Sequence, residues 1–378
     1  MTTNYTPVPV NEPDLSGNEK KYLNECIDSG WISSEGPFVK KFEDLFAERV
    51  GRKYGIAVAN GSVALDLAVV ALGIGPGDEV IVPAFTIISC LGAIVRAGAT
   101  PVLVDSDPVT WNMDVSQIEA VISKKTKAIM VVHIYGFPVD MDPVLELTKK
   151  YDLYLIEDAA EMHGQTYRGK PCGSFGTIST FSFYPNKHIT TGEGGMVVVS
   201  DPLLADTCRS LRNLCFIPEK RFYHEDLGWN FRMTNLQAAL GVAQLERLDS
   251  FVQKKRHMGA LYRQLLGNNP HLELQPERLP YASNIYWVFG IVLSDTVPFN
   301  AAAVMKKLAA KQVGTRPFFF PMNLQPVFHK SGLFRDVSMP VAERLGERGF
   351  YVPSGLGLTD HQIHEVSGRL LETLHESL

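Results

Sequence analysis

Short apolar segments alternate with helical patterns from about residue 54 to residue 200, and this alternation limits the possible folds more than any other feature. The segments are rich in β-branched residues and apolar on both faces, as is typical of parallel strands buried between helices. The predicted strands are 55–58, 79–82, 100–104, 127–132, 153–157, 177–183 and 195–200. The helical patterns between them are 62–72, 115–122 and 143–150. The sequence predicts an α/β fold with a mostly parallel, seven-stranded sheet.

The rest of the chain predicts a second, smaller domain. A helical pattern after Thr234 runs to about residue 265 and leads to a mixed α+β region with a strand at 285–293, a helix near 302–311 and a closing helix from Asp360. A chain of 378 residues is long enough for two domains. We therefore expect a large domain at 1–245 and a C-terminal α+β domain at 246–378. A proline-rich N-terminal arm should lie across another element.

Composition excludes several classes of function. The net charge of −5 favours neither nucleic acid nor an anionic membrane as a partner. The first residues do not resemble a secretory signal, and the longest uncharged stretch, 80–95, is shorter than the roughly 18–20 residues of a membrane span. Five cysteines without a C-x-x-C pair are typical of reduced core residues. We expect a cytoplasmic protein with no membrane or metal site.

Five residues, four of them polar, lie at or just after the ends of predicted strands. Ligands of parallel α/β sheets bind beyond the carboxyl ends of the strands. We therefore expect these residues to gather at one edge of the sheet. They are Asn60, Asp105, His133, Asp158 and Phe183.

Lys187 and Asp158 are the strongest candidates for chemistry. Lys187 lies in a glycine-containing loop after the predicted strand at 177–183, and Asp158 ends the strand at 153–157. One amine and one strand-end carboxylate are what pyridoxal 5′-phosphate (PLP) requires. The amine forms a Schiff base, and the carboxylate keeps the pyridine nitrogen protonated. A solvated loop lysine and a carboxylate that caps the next element are the alternative interpretations.

A turn and two further polar residues complete the candidate site. Gly61 and Ser62 start a helix after a strand, where free backbone amides suit a phosphate, although Ser62 could be a plain helix cap. Ser182 could add a hydroxyl to the phosphate site. Glu161 could bind a phenolic oxygen or only favour a first helical turn.

Three other patterns are weak. The segment 164–171 resembles a P-loop, but Pro171 replaces the required Ser or Thr. The glycines at 192–195 lack dinucleotide-binding spacing and precede a strand, which disfavours a nicotinamide dehydrogenase. His361 and His364 share a helix face but have no third metal ligand near them in sequence.

Taken together, these segments resemble the DegT/DnrJ/EryC1/StrS family of fold-type I, PLP-dependent sugar aminotransferases. The resemblance covers nearly the whole chain. Its motifs are 31–36, Asn60-Gly-Ser, 79–83, Glu157-Asp-Ala-Ala-Glu with His163-Gly164, 182–195 and 228–235. It implies that Lys187 forms the Schiff base, Asp158 pairs with the pyridine nitrogen and Glu161 lies near the ring hydroxyl. It also implies that Asn230 reaches the cofactor phosphate of a neighbouring subunit, and hence a homodimer with shared active sites.

Within the family, four segments resemble those of members that aminate C4 of GDP-4-keto-6-deoxymannose with L-glutamate. They are Trp31-Ile-Ser-Ser, 189–196, Tyr223-His and Thr315-Arg-Pro. The resemblance implies a nucleotide-linked keto sugar as substrate and a role in O-antigen or other glycan biosynthesis. It makes Trp31, His163, His188 and Arg316 candidate substrate contacts. Two residues depart from the pattern: Ile87 replaces an aromatic ring that stacks on the cofactor, and Asn323 replaces a histidine.

Three alternatives stay open from the sequence. The nucleotide could be UDP or dTDP, and the keto position could be C3. Tyr184-Pro185 and His188 resemble a PLP-dependent sugar 3-dehydratase, but that enzyme has histidine where this chain has Lys187. A binding protein without turnover is disfavoured because Lys187, Asp158, Glu161 and Ser182 are all present.

Overall fold

The computed structural model describes residues 5–376, so the ends of the predicted domain ranges, 1–4 and 377–378, lie outside the described residues. The strands are β1 Tyr54–Val58, β2 Glu79–Pro83, β3 Thr100–Val104, β4 Thr126–Val132, β5 Tyr154–Asp158, β6 Thr166–Tyr167, β7 Lys170–Pro171, β8 Ile178–Ser182, β9 Gly195–Val199, β10 Leu272–Glu273, β11 Arg278–Leu279, β12 Ala282–Ser283, β13 Phe289–Leu293, β14 Arg316–Pro317 and β15 Gly349–Val352. The helices are α1 Glu19–Ser29, α2 Pro37–Arg49, α3 Gly61–Ala71, α4 Ile88–Arg96, α5 Met141–Tyr151, α6 Pro202–Arg212, α7 Asn235–Leu245, α8 Leu248–Leu266, α9 Ala301–Ala310, α10 Pro326–Lys330, α11 Pro340–Arg348 and α12 Asp360–His375.

The seven predicted strands form one sheet in the order β1-β9-β8-β5-β4-β2-β3. Six of these strands run in one direction, and β9 runs in the opposite direction between β1 and β8. Successive side chains point to opposite faces: Val80 and Val82 enter one apolar cluster and Ile81 enters the other. Both faces are therefore covered, which confirms the mostly parallel α/β sheet and places the carboxyl ends of β4, β5 and β8 side by side.

Two predicted helices are different in the structure. Residues 115–122 form two short 3₁₀ turns, whose backbone hydrogen bonds span three residues instead of four, and the Asp114 carboxylate caps the first turn by accepting the Ser116 backbone N–H at 3.0 Å. The pattern after Thr234 is divided into α7 and α8. The break lies at Arg247, where φ is −110° and ψ is 2° and whose guanidinium binds Asp14.

The region after this break, residues 246–376, contains α8 and a four-stranded antiparallel sheet in the order β10-β13-β15-β14. A separate apolar cluster lies between this sheet and helices α8, α9 and α12. We call residues 246–376 the C-terminal region. The predicted domain boundary at residue 245 falls between α7 and α8.

The N-terminal arm lies against this region, as expected. The Val8 backbone bonds to Gln312 and Gly314, and the Ser354 amide donates to the Val10 carbonyl. Asn11 Nδ2 donates to the carbonyl of Pro185 at 3.1 Å. The arm thus connects the C-terminal region with the loop that carries Lys187.

Candidate active site

A cavity of about 800 Å³ opens at the carboxyl ends of β4, β5 and β8. It brings together six of the predicted site residues, although they are far apart in the chain: Gly61, Ser62, Asp158, Glu161, Ser182 and Lys187. Asn60 and His133, two of the residues predicted at strand ends, also line it. The sheet edge therefore concentrates polar groups where a parallel α/β fold binds ligands.

Lys187 points into this cavity from the loop between β8 and β9. Its amide donates to the Tyr184 carbonyl at 2.9 Å, which closes a tight turn. The side chain is only 10% exposed, and Nζ lies 3.6 Å from Glu161 Oε1. Burial lowers the pKa of Lys187, while Glu161 and Asp158 oppose that shift. Desolvation therefore favours the neutral, nucleophilic amine.

Asp158 ends β5 beneath the cavity and is 3% exposed. One carboxylate oxygen accepts the Ala160 backbone N–H at 3.0 Å, and the other accepts the Cys90 thiol at 3.3 Å. Burial raises the pKa of Asp158. Among the residues described, none forms an ion pair with this carboxylate. A buried carboxylate with such weak partners suits a cationic ring nitrogen.

Glu161 lies between Lys187 and the backbone of Tyr135, whose N–H donates to Glu161 Oε2 at 2.6 Å. Burial raises the pKa of Glu161 to about 7, although the nearby Lys187 opposes that shift. The carboxyl can therefore accept or donate a hydrogen bond near neutral pH, which suits a phenolic oxygen of a bound ring.

The start of α3 and the end of β8 form a cradle for an anion. Asn60 caps α3 through the Val63 amide, which leaves the first amides of the helix without a partner inside the helix. A Cβ on Gly61 would lie 2.7 Å from Ser182 Cβ, so only glycine allows this approach. The buried Thr180 hydroxyl lines the cavity without a hydrogen-bond partner. These residues fit a phosphate beside a planar ring, as PLP requires.

Two predicted substrate contacts, His163 and His188, do not line this cavity. His163 stacks between Phe181 and Phe183 with ring centroids 5.6 and 5.4 Å away, and burial lowers its pKa to about 3. His188 is fully buried and donates to the Ile285 carbonyl at 3.2 Å. Both imidazoles therefore belong to the packed core of the chain.

Three other predicted residues lie at the surface and outside the cavity. Trp31 follows α1 and is half-exposed, Arg316 lies on β14 with its guanidinium donating to the Thr315 carbonyl at 3.0 Å, and Asn230 is exposed next to Trp229. Within one subunit the structure does not bring them to Lys187.

The two residues that depart from the family pattern have different surroundings. Ile87 lines the cavity at the start of α4 and is 41% exposed. Asn323 is fully buried and donates to Glu343 at 2.7 Å and to the Val337 carbonyl at 3.0 Å. Asn323 therefore connects a 3₁₀ turn to α11 and is not part of the cavity wall.

Two residues expected at the sheet edge serve the fold instead. Asp105 accepts the backbone N–H groups of Val341 and Ala342 at 3.0 and 2.9 Å and so caps α11. Phe183 enters the apolar core. The segment that resembles a P-loop contains the short hairpin β6–β7, and the glycines at 192–195 lead into β9.

Glu157 and His133 support the site from below. The Val139 N–H donates to His133 Nδ1 at 3.0 Å, so the other ring nitrogen carries the proton and donates to Glu157 at 3.2 Å. Glu157 also accepts the amides of Phe175 and Gly176. Cys172 lies close enough to complete a metal-sized cluster, but these donors already satisfy the carboxylate. We regard the group as structural.

Sequence reasoning missed the aromatic wall of the cavity. Trp287, Phe319 and Tyr351 line it from the C-terminal region. Their sequence segments look like ordinary apolar packing, and no motif connects them to Lys187. Burial raises the pKa of Tyr351 to about 12, so its hydroxyl stays protonated.

All five cysteines are buried and free, as predicted. Within residues 5–376, no helix combines the length and the hydrophobicity that crossing a bilayer would need.

A mostly parallel seven-stranded sheet with this cavity at its carboxyl edge is the architecture of fold-type I enzymes. The model of the DegT/DnrJ/EryC1/StrS aminotransferase family matches residues 13–371. Similar proteins include the GDP-perosamine synthases of Escherichia coli O157:H7, 45% identical over 94% of this chain and 95% of that protein, and of Caulobacter vibrioides, 44% identical over 97% and 98%. A solved aminotransferase from Psychrobacter cryohalolentis is 31% identical, with a TM-score of 0.90 over 99% of this chain and all of that one.

The chain belongs to the DegT/DnrJ/EryC1/StrS aminotransferase family. It is accordingly a PLP-dependent sugar aminotransferase, as the sequence predicted.

Proposed function

We propose that this enzyme transfers an amino group from L-glutamate to the 4-keto carbon of GDP-4-keto-6-deoxymannose and so forms GDP-perosamine. The observation that carries the proposal is the meeting of a nearly buried lysine and a buried carboxylate, Lys187 and Asp158, in one cavity. The identity to relatives named GDP-perosamine synthase supports this choice of sugar.

Six residues of the cavity would contact the cofactor. Lys187 would hold PLP covalently, Asp158 would pair with its ring nitrogen, and Glu161 would face its ring hydroxyl. Gly61, Ser62 and Ser182 would surround its phosphate at the start of α3. When bound, PLP supplies an electron sink for charge that develops at the amino-bearing carbon.

The protein supplies proton transfer and exclusion of water. Lys187 Nζ, kept neutral by burial, would take a proton from the Cα of glutamate in one half-reaction and return a proton to sugar C4 in the other. The anionic Asp158 would stabilise the cationic ring nitrogen throughout. The aromatic wall of Trp287, Phe319 and Tyr351 would exclude water and leave an apolar surface for the deoxygenated C6 methyl group.

A homodimer is part of this proposal. Asn230 and Trp31 are exposed and lie outside the cavity of their own subunit. Phe222 and Leu227, in the loop before Asn230, are 84% and 90% exposed. Exposed apolar loops of this kind mark interaction surfaces. A second copy would cover them and bring Asn230 to the neighbouring phosphate.

We also place the reaction in the cytoplasm, where nucleotide sugars are made. The five free cysteines agree with a reducing compartment.

A panel of nucleotide-linked keto sugars with glutamate, analysed by mass spectrometry, tests the function. We expect an amino sugar from GDP-4-keto-6-deoxymannose and 2-oxoglutarate in equal amount. The visible band of the cofactor linkage should fall when glutamate alone is added. Amination only of a UDP- or dTDP-linked sugar would replace the proposed substrate. Loss of the 3-hydroxyl without amination would indicate a dehydratase.

A further inference from the structure

The indole of Trp287 lies directly over the amine of Lys187. The centroid of its ring system lies 3.8 Å from Lys187 Nζ, and Trp287 is 4% exposed. An ammonium held over an indole face away from water is stabilised by the ring quadrupole. Trp287 thus opposes the effect of burial and favours the protonated amine at this one position.

The indole is also attached to the backbone beside Lys187. Trp287 Nε1–H donates to the Asn186 carbonyl at 2.8 Å. Asn186 directly precedes Lys187, so one side chain fixes both the loop and the direction in which the amine can point. A phenylalanine at this position would keep the ring face but lose the N–H donor.

A second buried lysine fixes the backbone of Trp287. Lys255, on α8, is 2% exposed, and its Nζ donates to the Trp287 carbonyl at 2.9 Å and to the Ser354 carbonyl. No acidic side chain in the part of the chain described here forms an ion pair with it. A buried ammonium whose acceptors are two carbonyls loses hydration without gaining an opposite charge, so the backbone of Trp287 is held here at a cost.

The backbone before Trp287 is held in an unusual conformation. Tyr286 has a φ of +50°, and its N–H donates to Asn284 Oδ1 at 2.7 Å. A positive φ in a large aromatic residue is strained and needs support from its surroundings. Together with Lys255, this support fixes where the indole stands relative to Lys187.

We propose that Trp287 is a further catalytic residue and that Lys255 is its positioning residue. Trp287 holds the amine of Lys187 while it is free of the cofactor and stabilises the ammonium that exists between two proton transfers. Lys187 Nζ takes up one proton, carries it and releases the same proton, so the step leaves no net change. This inference rests on the proposed role of Lys187.

Single-turnover kinetics of the holoenzyme test this inference, with the amino donor that the wild type accepts, either unlabelled or deuterated at Cα. Trp287→Leu removes both the ring and the N–H. We expect this variant to slow the decay of the cofactor band about 30-fold, because a loss of roughly 2 kcal/mol of cation–π stabilisation corresponds to that factor. We also expect a larger deuterium isotope effect. Trp287→Phe should retain most of the rate, with a loss of about 3- to 5-fold.

Lys255→Met should slow the same step about 3- to 10-fold, the range that losing one ordinary hydrogen bond gives, because the indole loses its backbone anchor. Two matched controls are available. Trp111→Phe changes another buried indole that does not line the cavity, and Lys311→Met removes a lysine that pairs with Glu372 and Glu376. Both should leave the isotope effect unchanged and the rate within about twofold, because neither side chain contacts the reacting amine.

The outcomes separate the two proposals. If the rate and isotope effect of Trp287→Leu match those of Trp111→Phe, Trp287 only packs, and this inference is overturned while the proposed function stands. A lower rate with an unchanged isotope effect would overturn it as well. If borohydride reduction and peptide mapping of the wild type place the cofactor elsewhere than Lys187, both proposals fail.

Discussion

Lys187 and Lys255 are both removed from water, yet their surroundings give them different tasks. Lys187 faces an open cavity with Glu161 at 3.6 Å and Asp158 close by. Lys255 lies inside the C-terminal region, at the packed junction between α8 and the segments of Trp287 and Ser354, whose two carbonyls are its acceptors. Burial lowers the pKa of both amines, that of Lys255 to about 7. A lowered pKa alone therefore does not identify a reactive lysine; access and neighbouring carboxylates do.

The largest expected effect is the loss of the reactive amine. Lys187→Met should abolish the covalent cofactor linkage and lower kcat by at least about 10⁴-fold, because nucleophile and proton carrier are lost together. Lys255→Met should keep the linkage and slow the reaction by only about 3- to 10-fold. The visible spectrum and steady-state rates of both variants measure this difference. Equal losses in the two would remove the contrast between the lysines.

The next effect concerns the carboxylates. Asp158→Asn keeps the shape but removes the charge that would stabilise the ring nitrogen, so we expect kcat to fall about 10²- to 10³-fold with little change in stability. Asp105→Asn is a matched control, since Asp105 is also buried at a strand end but caps α11. It replaces one of the two accepting oxygens of Asp105 with an NH₂ group, so it should lower the free energy of unfolding by about 1–3 kcal/mol and leave kcat unchanged. Thermal denaturation of both variants measures the change in stability, and steady-state rates measure the change in kcat.

Glu161→Gln should change the pH dependence of cofactor capture. Glu161 loses its proton as pH rises through about 7, and the resulting anion raises the pKa of Lys187. The variant lacks that anion. Its apoprotein should therefore capture PLP faster than the wild type above pH 7 and at a similar rate below it, as followed by the absorbance of the linkage. Curves that stay parallel across pH 6–9 would contradict this account.

The smallest expected effect is in the stability of the junction around Lys255. An unfolded lysine holds its proton to a pKa of 10.5, whereas Lys255 in the fold releases it near 7. Between these values the unfolded state binds more protons, so the contribution of Lys255 to the free energy of unfolding rises with pH. The melting temperature of the wild type minus that of Lys255→Met should increase from pH 7 to pH 9. A constant difference would show that Lys255 titrates as in water.

The sheet was predictable because each strand carries its own signal. Runs of β-branched residues that are apolar on both faces identify strands from local sequence. The location of Asp158 at the end of one strand and of Lys187 in the loop after another made both residues candidates for the site. The two 3₁₀ turns at 115–122 were not predictable, because the apolar spacing of so short a segment does not distinguish them from a regular helix. The division between α7 and α8 was not predicted either, because a two-residue break leaves the apolar periodicity nearly intact.

By itself, the sequence determined the sheet, the edge at which polar groups collect and the family. The tertiary structure alone decided that Asp105 caps a helix while Asp158 lines the cavity, and that His163 and His188 pack in the core. It also decided that Trp287, 100 residues after Lys187, covers that amine. The physical reason is range: strand propensity acts between neighbours in sequence, whereas burial and charge act between whatever groups the folded chain brings together.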